Sequence, residues 1–377
     1  MNSRSTWAWV CISIVLVFGY WLTGKLKVEE QRAVFEKKKL FDFAAEDILR
    51  LSFSTREDAL VEAARRSETE WSISAPYDHI VPNHGQWSQL AGVIPRLINE
   101  RPIEVNPEDL ALYGLADPPL RVEVEVAGTL IQLNIGNLDP TQNNRYAQLG
   151  ADEVFLLPAQ MANVLYQTLM NLRDARVFPG IDSMIDRIHY KRFAIRDDTD
   201  ALEGTEAIDE VYAQGDDALW RMTSPYEAYT FQNKVLHLIS QLSFLTGQDY
   251  VDAPDDLGDF GLDPPWARIE VRNSETGVTQ TLSLRWRDDM AEDGRMFASL
   301  VGNPSVFTID AKMIGYLPDV PGDFREKHLF TQEAINLSAI HYRDSAHEFS
   351  LRYDEDSGWN LSEPAFDDID QLITSNV

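Results

Sequence analysis

Cysteine is nearly absent from this chain: of 377 residues only Cys11 carries a thiol, and it lies within an apolar N-terminal run. The remainder can hold neither an internal disulfide nor a thiolate zinc site. Positive charge is scarce as well. Thirty-three Lys and Arg stand against 61 Asp and Glu, a formal net charge of −28. A body this acidic repels phosphate backbones, and no Lys/Arg stripe offsets it, so nucleic acid is not an expected partner.

Recognisable chemistry is missing too. The seven histidines (His79, His84, His189, His237, His328, His341 and His347) include no His-x-x-x-His pair able to seat zinc on a helix. No nucleophile elbow, phosphate loop or dinucleotide fingerprint occurs in a suitable setting. Asp354-Glu-Asp-Ser-Gly358 has its glycine in the wrong place for a calcium loop and reads as a hairpin turn. Asp252 to Asp263 reads as a loop. His189 and His341 share a repeat position where the first copy has Ser52, which suits an exposed strand site rather than a catalytic base. No catalytic residue, cofactor or metal ligand is therefore expected.

What is present begins with an anchor. From Ser5 to Gly24 there is no charged residue, and Val10 to Phe18 is almost wholly apolar. Twenty helical residues at about 1.5 Å each match a hydrocarbon core of about 30 Å. Trp7 and Trp9 near one end, and Tyr20 and Trp21 near the other, suit the two membrane interfaces. No small-x-small cleavage site follows, so a retained transmembrane helix is expected over 7–24, contacting lipid, after a tail at 1–6. Arg4 precedes the helix and Lys25, Lys27 and Arg32 follow it, so the positive-inside count leaves topology open. Residues 25–44 read as a charged helical neck with apolar Val34, Phe35, Leu40 and Phe43.

The body is internally duplicated. Trp71-Ser-Ile-Ser-Ala-Pro76-Tyr77 recurs as Trp220-Arg-Met-Thr-Ser-Pro225-Tyr226, and again as Trp359-Asn-Leu-Ser-Glu-Pro364. Tyr113-Gly114-Leu-Ala-Asp-Pro118-Pro matches Phe260-Gly261-Leu-Asp-Pro264-Pro, each followed by an alternating strand. Tyr146-Ala-Gln-Leu matches Phe297-Ala-Ser-Leu, and Leu172-Arg173 to Phe178 matches Phe324-Arg325 to Phe330. A repeat this long is a duplicated domain rather than a solenoid. The expected modules are 45–180, 181–330 and a partial third at 331–377.

Each shared residue has a structural reason. Trp-x-apolar is a half-buried strand, and the following Pro ends it. A helix follows, with Trp87, Leu90, Val93, Ile94 and Leu97 in one copy and Val235, Leu236, Ile239 and Leu242 in the other. Gly114 and Gly261 supply left-handed caps to short helical turns. Hairpins over 121–136 with 144–157, and 267–286 with 295–309, lead into closing helices near Ala159–Leu172 and Ala311–Leu317. Arg173 and Arg325 read as buried partners of carboxylates that fix the closing segments. The expected fold is α+β: tandem modules of antiparallel sheet with covering helices, preceded by one transmembrane helix.

The Trp-x-x-x-x-Pro strand, the Tyr/Phe-Gly-Leu turn and the Arg-Tyr/Phe-Ala hairpin resemble the bacterial domain-of-unknown-function family 4340, twice over about 45–330 with a stub beyond. The resemblance implies an inner-membrane anchor, an extracytoplasmic body and a role auxiliary to an ABC-type transport system; it carries no catalytic residues. Three functional expectations stand: a non-enzymatic scaffold for a membrane complex, a binder of envelope glycan or small molecules, and a hydrolase with dispersed acidic residues.

Overall fold

The computed structural model describes residues 20–21, 35–56, 60–105, 107–150, 153–181, 184–193, 206–285, 294–327, 338–343, 348–354 and 357–363. It contains two large antiparallel sheets and one small one. The first is built from β1 (Ile48–Thr55), β2 (Val61–Arg65), β3 (Trp71–Ala75), β4 (Arg101–Val105), β5 (Leu120–Val126), β6 (Thr129–Leu138), β7 (Asn144–Leu149) and β8 (Glu153–Pro158). Their order across the sheet is β3-β2-β1-β5-β6-β7-β8-β4. The second comprises β9 (Ile185–Arg192), β10 (Ile208–Gln214), β11 (Trp220–Ser224), β12 (Ala228–Tyr229), β13 (Gln248–Val251), β14 (Ala267–Asn273), β15 (Thr279–Arg285), β16 (Arg295–Leu300) and β17 (Val306–Asp310). Its order, β12-β11-β10-β9-β14-β15-β16-β17-β13, repeats the first with one short strand added at the edge. Strands β18 (Ala339–Arg343), β19 (Glu348–Asp354) and β20 (Gly358–Glu363) form a third, three-stranded sheet.

Alternation in the sequence decides which face is covered. In β3 and β11 the buried residues are Trp71 and Ile73, and Trp220 and Met222, with Ser74 and Thr223 turned to solvent. The helix His84–Val93, continued by a 3-10 turn to Arg96, lays Trp87, Leu90 and Ile94 on the first sheet. The helix Gln232–Ser243 covers the second with Val235, Leu238, Ile239 and Leu242. Leu236 departs from expectation: it is exposed, and Leu238 takes the inward position. Val235 to Leu238 to Leu242 keeps the three-and-four spacing of an inward stripe, and Leu236 falls outside it.

The closing helix expected over Ala159–Leu172 is two short pieces, Ala159–Val164 and Leu169–Leu172. The neck requires a larger correction. Phe41 is buried in the core of the first module, with Leu40 and Phe43 packed beside it. Leu40 N–H donates to Leu97 O, and Asn99 N–H donates to Lys38 O. Apolar side chains this close to a sheet gain more from burial than from solvent, so the end of the neck is part of the module.

The same linkage recurs between modules: Val177 N–H donates to Leu245 O and Gly247 N–H to Ala175 O. Residues 36–41 and 173–178 are thus equivalent segments, each threading into the module that follows it. Among the described residues no helix is long and apolar enough to cross a membrane. The expected membrane segment at 7–24 lies outside the described residues except for Tyr20 and Trp21.

Candidate functional site

The most developed polar site lies in the seam between the first two modules. Arg173, which follows the helical piece Leu169–Leu172, is only 4% exposed. Its Nη2 donates to Asp252 Oδ2 at 2.5 Å, and its guanidinium lies 3.9 Å from the centre of the Tyr250 ring. Tyr250 and Asp252 come from β13 and the residue just after it, so one strand edge supplies both ring and carboxylate. Ser305, buried in the turn before β17, donates Oγ–H to Asp252 Oδ1 at 2.9 Å. The chain of contacts ends on the first module, where His79 Nε2 lies 3.2 Å from Ser305 Oγ and stacks against Tyr77. Asn303 Nδ2 reaches His79 O at 3.4 Å.

A buried guanidinium is stable only if its charge and donors are matched. Asp252 supplies the charge and Tyr250 the π-face. Arg173 Nε has no hydrogen-bond partner, and beside it lies a cavity of about 40 Å³ lined by Arg173, Tyr250, Asn303 and Ser305 among others. Burial pushes the Tyr250 phenol up to about 12, partly countered by Arg173. Ser305 stands between His79 and Asp252. A nucleophilic triad needs the imidazole between hydroxyl and carboxylate, so this arrangement is a hydrogen-bond chain joining two modules.

A second polar cluster lies in the second module and has no counterpart in the first. Glu210, Tyr212, Tyr190 and Arg192 are all buried on β9 and β10. Glu210 Oε1 accepts from Gly322 N–H at 2.6 Å, and Tyr212 donates its hydroxyl to Glu210 Oε2. Arg192 donates to the carbonyls of Glu206 and Asp319. These contacts tie the closing loop 319–323 to the sheet. In the first module, the matching register positions hold Thr55, Phe53, Val61 and Ala63. Burial raises the Tyr190 phenol to about 12, opposed by the neighbouring Arg192. Burial, reinforced by the Glu210 carboxylate, holds the Tyr212 phenol far above its ordinary value.

The repeated sequence positions fall into structural roles. Trp71 and Trp220 are buried and their backbone N–H groups are taken by His84 Nδ1 and Gln232 Oε1 at equivalent positions. Trp359 is 41% exposed on the third sheet. Pro76 and Pro225 end their strands on cis peptide bonds. Gly114 and Gly261 adopt φ of 69° and 65° and close 3-10 turns capped by Asp109 and Asp256. Each turn sets an aromatic ring on the next hairpin: Tyr113 on Tyr146 at 4.9 Å, Phe260 on Phe297 at 5.2 Å.

The prolines align differently from the sequence reading. Arg121 and Arg268 both stand seven residues after their glycine, so Pro118 corresponds to Pro265 and Pro264 to Asp117. Burial agrees, because Pro118 and Pro265 are buried while Asp117 and Pro264 are exposed. Arg173 and Arg325 hold equivalent bridge positions, opposite Pro82 and Thr230. Only Arg173 is buried against a carboxylate; Arg325 is exposed, with its guanidinium over the Tyr226 ring. Its expected ion pair is therefore not formed among the described residues, where no module edge covers it. Pro364 lies outside the described residues.

His189 pairs with Asp209 on the exposed strand face, where Lys191 and His189 hold the Asp209 carboxyl below its ordinary value. His341 contacts Ser350 and Glu348 in the same manner. The Asp354–Gly358 segment joins β19 to β20, with Ser357 N–H donating to Asp354 Oδ1. Among the described residues no three His, Cys, Asp or Glu side chains gather as metal ligands.

Fold and seam together define a tandem-repeat protein whose antiparallel-sheet modules are locked through buried polar contacts. The chain belongs to the family described as Domain of unknown function (DUF4340), which matches residues 84–210 and 220–376. The first match runs from the covering helix of one sheet onto β10 of the next, so the sequence unit straddles the seam. No curated protein and no solved structure matches the chain.

Proposed function

We propose that this protein is a non-enzymatic scaffold, tethered to the inner membrane by residues 7–24, whose paired modules present a fixed surface to another membrane complex. The observation that carries this reading is the seam. Arg173, Tyr250, Asp252, Ser305 and His79 join two modules into one body, which suits presentation of a surface rather than closure on a substrate. The uncharged run from Ser5 to Gly24 supports the tether. The resemblance noted in the sequence favours an extracytoplasmic body and an ABC-type transporter as the partner.

Solubilising membranes in mild detergent after crosslinking tests this directly. A stable complex containing this chain and a membrane protein is expected; recovery as a lone monomer would overturn the scaffold reading. Protease added to spheroplasts is expected to digest the body, and full protection would place it on the cytoplasmic side.

A second reading, an envelope glycan or small-molecule binder, is favoured by a cleft of about 520 Å³. It is lined by Lys39, Phe41, Asp42, Phe43, Glu46 and Arg96 among others, where the end of the neck meets the first module. Ligand binding stabilises the folded state by mass action. Thermal shift of the whole chain against cell-wall fragments separates the readings, since only the binder predicts a rise in melting temperature.

A further inference from the structure

Both large sheets pin the first residue of the covering helix to the tryptophan that opens an outer strand, but with different chemistry. In the second module Gln232 Oε1 accepts from Trp220 N–H, while Gln232 Nε2 and Thr230 Oγ donate to Trp220 O. A side-chain amide keeps its donor and its acceptor at every ordinary pH. In the first module Trp71 N–H donates to His84 Nδ1 at 3.0 Å, and Trp71 Nε1–H donates to Ser88 Oγ at 3.1 Å. A backbone N–H can only donate, so His84 Nδ1 is an acceptor and the ring is neutral, with its proton on Nε2.

An imidazolium has no acceptor. Protonating His84, which is exposed, withdraws the partner of Trp71 N–H and sets a cation at the positive end of the helix His84–Val93. Three other described histidines respond differently. His189 and His341 lie against the carboxylates of Asp209 and Glu348, which favour the charged ring. His79 Nε2 faces Ser305, whose hydrogen goes to Asp252, so His79 donates in either state.

The charges around the clasp do not offset this loss. Arg65 lies 4.6 Å from the centre of the Trp71 ring, Arg66, Glu68 and Glu70 stand in the turn before it, and Asp78 is in the loop. Of the elements packed on the helix, the 45–47 turn brings Glu46 and Asp47, the 94–96 turn brings Arg96, and Arg173 follows Leu169–Leu172. Among the described residues none of these carboxylates pairs with the His84 ring.

We infer that His84 is a proton-operated clasp, holding the segment 72–83 at neutral pH and releasing it as pH falls through the histidine range. That segment carries His79, whose ring meets Ser305 and whose carbonyl meets Asn303 across the seam. Acid therefore loosens the first module's side of the seam. The second module, closed by Gln232, does not respond.

Hydrogen exchange of the full-length chain in detergent, corrected for the intrinsic pH dependence of exchange, tests this between about pH 8 and about pH 5. Peptides spanning 71–83 are expected to lose about threefold to tenfold in protection at the lower pH, the worth of one hydrogen bond. Peptides spanning 220–231 are expected to keep theirs. His84→Gln installs the residue that does this work in the second module, so it is expected to melt with the wild-type chain at the higher pH and to abolish the loss. Gln232→His is expected to move the loss to 220–231, which keeps the test open if His84→Gln fails to fold. Unchanged protection of 71–83 in the wild-type chain would overturn the inference, as would the same loss in His84→Gln, an equal loss at 220–231 in the wild type, or no response there in Gln232→His.

Discussion

Arg173 and Asp252 are 79 residues apart in sequence and belong to different modules, yet their side chains meet in a buried ion pair at 2.5 Å. The pair is the centre of the only described surface where the two large sheets are joined by buried charge. Breaking it from one side leaves a cation without compensation in a poorly solvated place. Removing one partner of a buried pair costs about 3–5 kcal/mol. Asp252→Ala is therefore expected to destabilise the chain by that order and to split a single calorimetric transition into two, one per module. A single unshifted transition would show that the modules do not depend on the seam.

Tyr190 tests the difference between the copies. Its hydroxyl is buried beside the Arg192 guanidinium without a well-aligned hydrogen bond, and the first module holds Phe53 at the same position. Relieving an unsatisfied buried hydroxyl recovers about 1 kcal/mol or more. Tyr190→Phe is expected to be neutral or stabilising at pH 7, measured by urea unfolding; a loss above about 1 kcal/mol would reveal a hidden partner.

Alkaline stability follows from the same residue and from Tyr250. Both phenols sit at about 12 when folded, above the ordinary value of 10.0. Between these values the unfolded chain has released protons that the folded chain keeps. The stability they confer is intact below pH 10 and falls as pH rises toward about 12. Tyr190→Phe is expected to flatten the decline in melting temperature over that range, and an unchanged slope would contradict the assignment.

The repeated tryptophans are not equivalent in energy. Trp220 is 1% exposed beneath the helix Gln232–Ser243, whereas Trp359 lies on a sheet with no described helix over it. Trp220→Ala is expected to cost about 3–5 kcal/mol in urea unfolding. Trp359→Ala is expected to cost under about 1 kcal/mol, as partly exposed positions generally do. Equal losses would mean that the third sheet is covered as the others are.

How much of this was legible in the sequence depended on range. Trp71, Trp220, Gly114 and Gly261 declared themselves because strand alternation and helix caps are local patterns. The duplication made Arg173 conspicuous, and a buried carboxylate partner followed from its chemistry. Which carboxylate could not follow: Asp252 sat in a loop indistinguishable in composition from any acidic turn. His79 and Ser305 carried no signal, since their roles exist only once two sheets meet.

Charge dominates the surroundings of Leu40 and Phe43, which is why local composition reads them as a neck. The backbone hydrogen bonds of residues 36–41 match those of 173–178 and make this a module-binding segment instead. Dipeptide likeness pairs Pro118 with Pro264, while spacing and burial pair it with Pro265.

The claim that two modules act as one presenting body is tested most directly by a distance between them. Spin labels at Thr129→Cys and Thr279→Cys, exposed at the start of β6 and β15, would be introduced into a Cys11→Ser background. Pulsed electron resonance on the full-length chain is expected to give one narrow distance distribution, broadened by Asp252→Ala. A broad distribution in the otherwise wild-type protein would contradict the account.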